Sequence, residues 1–295
     1  MTKMITVFTP TYNRAEALNK CYESLCGQTS KDFVWMVVDD GSVDNTKEVV
    51  QAWIAENKIC IVYIYKENGG KVSSINLSLE KCETELWVCL DSDDYLTPKA
   101  IEVMIANNQI IKSNPDVCGL LALRTGPDGK VMNNKGRIPE DIVYASLQKI
   151  RYELNIDTEY VFVYKSAIIK QYPYPVIPGE KFFALSYVYD QVDLKYKYRI
   201  LQDDLMVSEY LEDGITRNKI KLIKHNPKGY IMLKRQCIEI APTLFRKIKS
   251  VILYGVGCLI DKDTNFTTCI KNSPAKFFSL CLLPVTWLVY MKRFR

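Results

Sequence analysis

Four apolar runs, three of them closing directly in a polar cluster, constrain this chain more than any other feature. "MITVFTP" (4–10) runs into "TPTYNR", and "FVWMVVDD" (33–40) runs into "DDGSVDNT". "CIVYIY" (60–65) precedes "ENGGK", and "LWVCL" (86–90) stops at "DSDD". Runs this short and this continuously apolar have the length of strands buried on both faces. Between them, residues 14–27, 44–57, 71–83 and 98–112 read as helices; Ala17, Leu18, Cys21 and Leu25 fall at the spacing of one helix face. Asn45 and Glu48 stand at the separation of a capping box.

Alternation of strand and helix predicts an α/β fold with a mostly parallel sheet covered by helices on both faces. Ligands of such sheets bind outside the carboxyl ends of the strands. The polar clusters are therefore expected on one rim. The Gly-, Pro- and Asn-rich stretch 124–141 marks a boundary. The expected organisation is a nucleotide-binding half over 1–125, an acceptor-binding half over 126–215 and a basic tail over 216–295.

Charge separates the tail from the rest. Residues 214–295 hold 16 Lys and Arg against Glu239, Asp261 and Asp263, a balance of +13. Residues 1–213 hold 23 against 31, a balance of −8. Within the tail, "FFSLCLLPVTWLVYM" (277–291) carries no charge and is flanked by Lys276, Lys292, Arg293 and Arg295. It is shorter than the roughly 20 apolar residues of a spanning helix. Basic flanks around an apolar, aromatic segment fit a helix lying in an anionic membrane interface; a C-terminal core helix capped by cations fits the same letters.

Several chemistries are disfavoured. The 10 cysteines include no C-x-x-C, and the N-terminus enters a strand without an apolar leader, which predicts reduced thiols and a cytoplasmic location. His225 is the sole histidine, so neither a histidine-rich metal site nor a Ser-His-Asp triad is expected. The basic tail comes without a nucleic-acid recognition motif. Hydrophobic residues make up 48% of the chain and charged residues 25%, which excludes a disordered chain.

Asp91, Ser92, Asp93 and Asp94 crowd three carboxylates at one strand end. A hard divalent cation takes oxygen ligands and bridges carboxylates to phosphate, which would answer their repulsion. Taken alone, the turn is equally an Asx turn leading into a helix. Gly69 and Gly70 ahead of Lys71 read as an anion site of backbone N–H groups plus a cation, although the P-loop spacing is absent.

"TPTYNRA", "VDDGSVDNT", "NGGKVSSIN" and "DSDD", in this order and on this frame, resemble the family 2 glycosyltransferases of the GT-A fold. The likeness covers residues 4–125 and continues weakly through "GEKFF" and 207–218 toward a bacterial surface-polysaccharide subgroup. It implies an inverting enzyme, a UDP-sugar donor, Mn²⁺ or Mg²⁺ and a growing glycan acceptor; with the +13 tail, the expected acceptor is lipid-diphosphate-linked at the inner face of the cytoplasmic membrane. By motif position, Thr9, Pro10 and Tyr12 would line the nucleotide pocket, and Asp39 would meet the base. Lys71 would lie near the nucleotide, Asp91 would handle ribose and metal, and Asp93 would be the direct metal ligand. The family's usual acid a few residues after "GEKF" is replaced by Ala184 and Leu185. Glu180 is then the first candidate base and Asp190 the second. A catalytically silent nucleotide-sugar-binding scaffold and a nucleotidyltransferase are the competing readings.

Overall fold

The structure is a computed structural model that describes residues 3–132, 136–156, 158–208 and 219–294. The 207–218 stretch lies almost entirely outside these residues. The chain divides into two compact units, one made of residues 1–173 and 188–210 and the other of 174–187 and 211–295.

The first unit opens with β1 (Ile5–Thr11), α1 (Leu18–Cys26), β2 (Phe33–Asp39), α2 (Thr46–Glu56), β3 (Ile61–Tyr65), α3 (Lys71–Lys81) and β4 (Leu86–Cys89). It continues through β5 (Tyr95–Leu96), α4 (Ala100–Ile111), β6 (Val117–Leu123), β7 (Tyr144–Ala145) and β8 (Tyr160–Lys165). A π-helical turn at Lys149–Glu153 precedes β8. The unit closes with α5 (Ser166–Ile169), α6 (Ser186–Asp193), β9 (Lys197–Ile200) and β10 (Met206–Val207), α6 beginning in the second unit's segment.

Eight strands form one sheet in the order β3-β2-β1-β4-β8-β6-β9-β7, and β5 pairs with β10 apart from it. The first four strands run parallel, while β8 is antiparallel to both β4 and β6. The expected mostly parallel α/β sheet is therefore present, and it extends well past residue 125: β8 and β9 join it from the stretch expected to form a separate acceptor half.

Strand alternation builds the core. Ile5 and Val7 of β1 are fully buried against one helical layer with Leu18, Leu25 and Trp35. Phe8, on the other face, stacks on Trp87 at 5.6 Å. After β3 the chain crosses back to lay β4 on the far side of β1. The loops after β1 and β4 thus diverge at a switch point, where open α/β sheets bind their ligands.

The expected capping box is not formed: Asn45 makes no side-chain cap. Asp44 does that work one residue earlier, its Oδ1 accepting from the Thr46 N–H at 3.1 Å and the Thr46 hydroxyl at 2.6 Å. Its other oxygen accepts from the Ala15 N–H, tying the start of α2 to the loop after β1.

The second unit is helical among the described residues. It comprises α7 (Lys219–His225), α8 (Pro227–Glu239), α9 (Leu244–Ile260), α10 (Phe266–Lys271), α11 (Lys276–Cys281) and α12 (Leu283–Arg293). Ile238, Val251, Tyr254, Cys258 and Cys269 form its core. No described helix is long and apolar enough to cross a membrane.

Candidate active site

The carboxyl ends of β1, β2, β4 and β6 bring together a set of opposed charges. Asp91 leaves β4 with one oxygen bonded to Lys71 Nζ, from the first turn of α3. Its other oxygen lies 3.7 Å from Arg124, which closes β6. Burial alone would push the Asp91 carboxyl up, but Lys71 and Arg124 outweigh it and hold it at about 2. Burial likewise opposes the Lys71 charge, and Asp91 overrides it. Arg124 also bonds Asp94 at 2.6 Å. Burial raises the Asp94 carboxyl to about 6 against that pull, with the Asp91 charge adding to the rise. The repulsion expected within "DSDD" is thus met first by cations from the chain itself.

Asp93 points elsewhere. Arg14, in the loop after β1, donates to its Oδ2 at 2.7 Å, and both side chains remain partly exposed. Asp91 and Asp93 therefore differ in kind: one is boxed in by two cations, the other is held by a single arginine at the surface.

The next two aspartates anchor loops. Asp40 accepts from the Gly69 N–H at 2.9 Å and the Gly70 N–H at 2.7 Å, and also bonds Lys66. The anion site expected at Gly69 and Gly70 is therefore filled by this carboxylate, and Lys71 serves Asp91. Asp39 is 1% exposed; it accepts from the Ser42 N–H at 2.7 Å and the Tyr63 hydroxyl at 2.6 Å. Asn13 stitches the rim together, its amide oxygen accepting from the Val43 N–H while its own N–H donates to the Ser42 hydroxyl.

Thr9 is not at the surface of this rim. It is fully buried, and its hydroxyl accepts from the Trp35 indole at 2.9 Å, because residue 9 shares the inward register of Ile5 and Val7. Pro10 is half-buried and Tyr12 is 50% exposed, so Tyr12 presents the open aromatic surface.

The two base candidates sit in different units. Glu180 belongs to the second, where its oxygens accept from the Lys228 and Gly229 N–H groups at 2.7 and 2.8 Å, capping α8. A carboxylate suits that position, since the first N–H groups of a helix lack internal partners. Asp190 belongs to the first unit and meets Arg151 at 3.2 Å. Its neighbour Tyr189 is half-buried within reach of the site: loss of solvent first, then Cys89 and Asp91, push its phenol up to about 12.

The sequence profile of Glycosyl transferase family 2 matches residues 6–172, more than half of the chain. The chain belongs to this family. Among curated relatives, the chondroitin synthase of Pasteurella multocida (strain Pm70) is 31% identical over 138 residues, which are 46% of this chain and 14% of that protein. The chain thus spans a small part of such relatives. Among solved structures, S. aureus TarS in complex with UDP-GlcNAc superposes with a TM-score of 0.59 at 17% identity, over 99% of this chain and 89% of that one. The mannosyltransferase PcManGT of Pyrobaculum calidifontis, in complex with GDP-Man and Mn²⁺, gives 0.60 at 16% identity, over 99% and 81%. These two likenesses establish the GT-A fold.

A divalent cation can be tested against this family 2 rim. Among the described residues, no cluster of three or more His, Cys, Asp and Glu could hold a metal alone. Hard cations in phosphate chemistry need less: one or two carboxylates, with phosphate oxygens and water completing the shell. Asp93 fits as the direct ligand because, among the described residues, the partly exposed Arg14 alone bonds its carboxylate.

Arg14 and Arg124 were not singled out from the sequence. Arg14 lay inside the quoted "TPTYNR". Arg124 ends the apolar "CGLLALR", a charge at the carboxyl end of a strand, which is the same signal that drew attention to "DSDD".

Proposed function

We propose that this family 2 glycosyltransferase moves a sugar, with inversion, from a UDP-sugar to a hydroxyl of a growing surface glycan. The observation that carries the reading is the Asp91–Asp93 turn at the β1/β4 switch point, set among Lys71, Arg124 and Arg14. Similarity supports two of its features: a relative is a chondroitin synthase, and a structural neighbour is solved with UDP-GlcNAc.

In this reading the acceptor oxygen bonds to the anomeric carbon as the bond to the diphosphate breaks, and UDP leaves. The acceptor proton passes to Asp190, which we prefer to Glu180 because both Glu180 oxygens already serve α8. Mn²⁺ or Mg²⁺, held by Asp93 with Asp91 beside it, would supply Lewis-acid stabilisation of the departing diphosphate. Lys71, Arg124 and Arg14 add fixed positive charge where negative charge develops, which lowers the barrier without reorganisation during the reaction. Tyr12 offers an aromatic face for the uracil, and Asp39 orients the loop beside it. The enzyme would act at the inner face of the cytoplasmic membrane, its basic 214–295 segment drawn to anionic headgroups near a lipid-diphosphate-linked acceptor.

The test is UDP release from a panel of UDP-sugars with Mn²⁺, Mg²⁺ or EDTA, for wild type and Asp93→Ala. The expected result is metal-dependent release from one donor, lost in the variant. Turnover of a GDP-sugar instead would replace the donor class. Absence of UDP binding in the presence of metal would remove the reading altogether.

A further inference from the structure

Helices α11 and α12 leave five large apolar side chains open on their outer side. Residues 276–293 are helical except at Leu282, with Pro284 just after this break. Their fully buried side chains are small and polar, Ser279 and Thr286, beside Phe278 and Leu282, which are partly buried against the unit's core. Each meets the rest of the unit, Ser279 at Ser273 and Thr286 at Gly255. The outer side is apolar and open: Phe277 is 74% exposed, Leu280 57%, Val285 42%, Trp287 53% and Leu288 61%. A helix packed on a water-soluble core presents charged and polar residues outward instead.

The buried side is built for close helix contact. A Cβ added at Gly255 of α9 would come within 2.7 Å of Thr286 Cγ2, so the α9 backbone lies directly against α12 at this point. The Ser279 hydroxyl is paired with Ser273 at 2.7 Å, so this buried hydroxyl is satisfied within the unit. Small residues at helix contacts, paired hydroxyls and large apolar groups outside describe packing in a lipid environment. The charges complete the description. The exposed Lys276 precedes the apolar face, the exposed Lys292 and Arg293 follow it, and no charged residue lies between.

We propose that the α11–α12 face inserts into the interfacial layer of an anionic bilayer, lying in the membrane plane with Phe277, Trp287 and Leu288 among the upper acyl chains. This deepens the membrane association advanced above, which needs only electrostatic attraction. It specifies the inserting surface and adds a hydrophobic contribution that salt does not screen. Neither helix is long enough to span, so the mode is monotopic.

The experiment uses the full chain with phosphatidylcholine–phosphatidylglycerol vesicles, in flotation and in Trp quenching by lipids brominated on the acyl chain. Trp35, Trp53 and Trp87 are buried, so Trp287 is the reporter and Trp287→Phe the control. Binding should persist at about 1 M salt, where the Debye length falls to about 3 Å. Trp287 should be quenched. Phe277→Glu/Leu288→Glu should weaken vesicle binding about tenfold or more; both sites are exposed, and an unchanged melting temperature verifies the fold. Binding abolished by salt, with no quenching, overturns insertion and leaves the electrostatic reading standing. A monomer that ignores vesicles overturns both. Doubling of mass in light scattering, reversed by the double variant and without vesicle binding, assigns the face to a second copy instead. None of these outcomes depends on UDP release, so failure of the donor chemistry is read separately.

Discussion

Arg14 reaches from the loop after β1 to Asp93 after β4, with 2.7 Å between Nη1 and Oδ2, so the carboxylate best placed for a metal is held by a cation of the chain itself. A divalent ion must compete with that guanidinium. Arg14→Ala should therefore bind Mn²⁺ several-fold more tightly in the absence of nucleotide, about 1 kcal/mol for a partly exposed pair. Mn²⁺ electron paramagnetic resonance titration measures this directly. Catalysis should move the other way, because in the proposed reaction Arg14 would also contribute positive charge where the diphosphate departs. Unchanged metal affinity would show that the ion pair does not control the site.

Lys71 and Asp91 form a more enclosed pair, and Arg124 leans on the same carboxylate. Removing Lys71 leaves Asp91 with the more distant Arg124 and the weak Cys89 thiol donor. Lys71→Met should lower stability by about 1–3 kcal/mol, below the range for a fully buried pair because both partners retain some exposure. Turnover should fall by about 10²-fold or more. Denaturant unfolding and donor turnover on the same preparation separate the two effects.

Glu180 and Asp190 make opposite predictions for turnover. Glu180→Gln weakens the cap on α8 and should cost about 0.5–2 kcal/mol of stability, with turnover at saturating substrate nearly intact. Asp190→Asn removes the charge that pairs with Arg151 and should cost about 1–3 kcal/mol of stability, but about 10²–10⁴-fold in turnover, the range of a lost general base. The reverse result, with Glu180→Gln inactive and Asp190→Asn active, would return the base to Glu180.

Asp44 offers a pH-dependent check on the fold around the rim. Burial acts to raise its carboxyl, but bonds from Thr46 and Ala15 prevail and hold it below the ordinary value. A carboxyl depressed in the folded state adds stability above its unfolded pKa of about 3.9 and loses it as pH falls through the folded value. Asp44→Ala should be less stable than wild type at neutral pH by about 0.5–2 kcal/mol. That gap should close on acidification below about pH 4. A gap constant between neutral pH and pH ~3 would assign the loss to packing instead.

Much of this architecture was legible in the letters, for a physical reason. Strands buried on both faces must be apolar throughout, so β1, β2 and β4 stood out; β3 shares the apolar run but lies at the sheet edge, partly exposed, and the polar ends marked the rim. Other features depended on which side chain points where. Thr9 belongs to the nucleotide motif, yet its register turns it toward Trp35. Asn45 had the spacing of a cap, but Asp44, one residue earlier, reached the helix first. Glu180 looked free because its partners, the Lys228 and Gly229 N–H groups, are backbone donors 48 and 49 residues away that no side-chain pattern reveals. Arg124 was hidden because β6 and β8 enter the sheet out of chain order, which no local periodicity encodes.

Gly41 joins the two sides of the rim and yields the last prediction. Its φ is +86°, and a Cβ there would lie 2.8 Å from the Asn68 backbone nitrogen. Asn68 immediately precedes the glycines that Asp40 holds, so anything that moves it displaces the start of α3 and with it Lys71. Gly129 has a similar φ of +72° but open space around it. Alanine at either site bears the left-handed cost of about 1 kcal/mol. Only Gly41→Ala adds the backbone collision, for a total of about 2–4 kcal/mol. Gly41→Ala should therefore melt well below Gly129→Ala and should also lose UDP affinity, while Gly129→Ala keeps it. Calorimetric melting and UDP titration of the two variants make the comparison. Equal melting temperatures would mean that the Asn68 contact yields without strain, and intact UDP binding in Gly41→Ala would mean that the nucleotide does not depend on the position of Lys71.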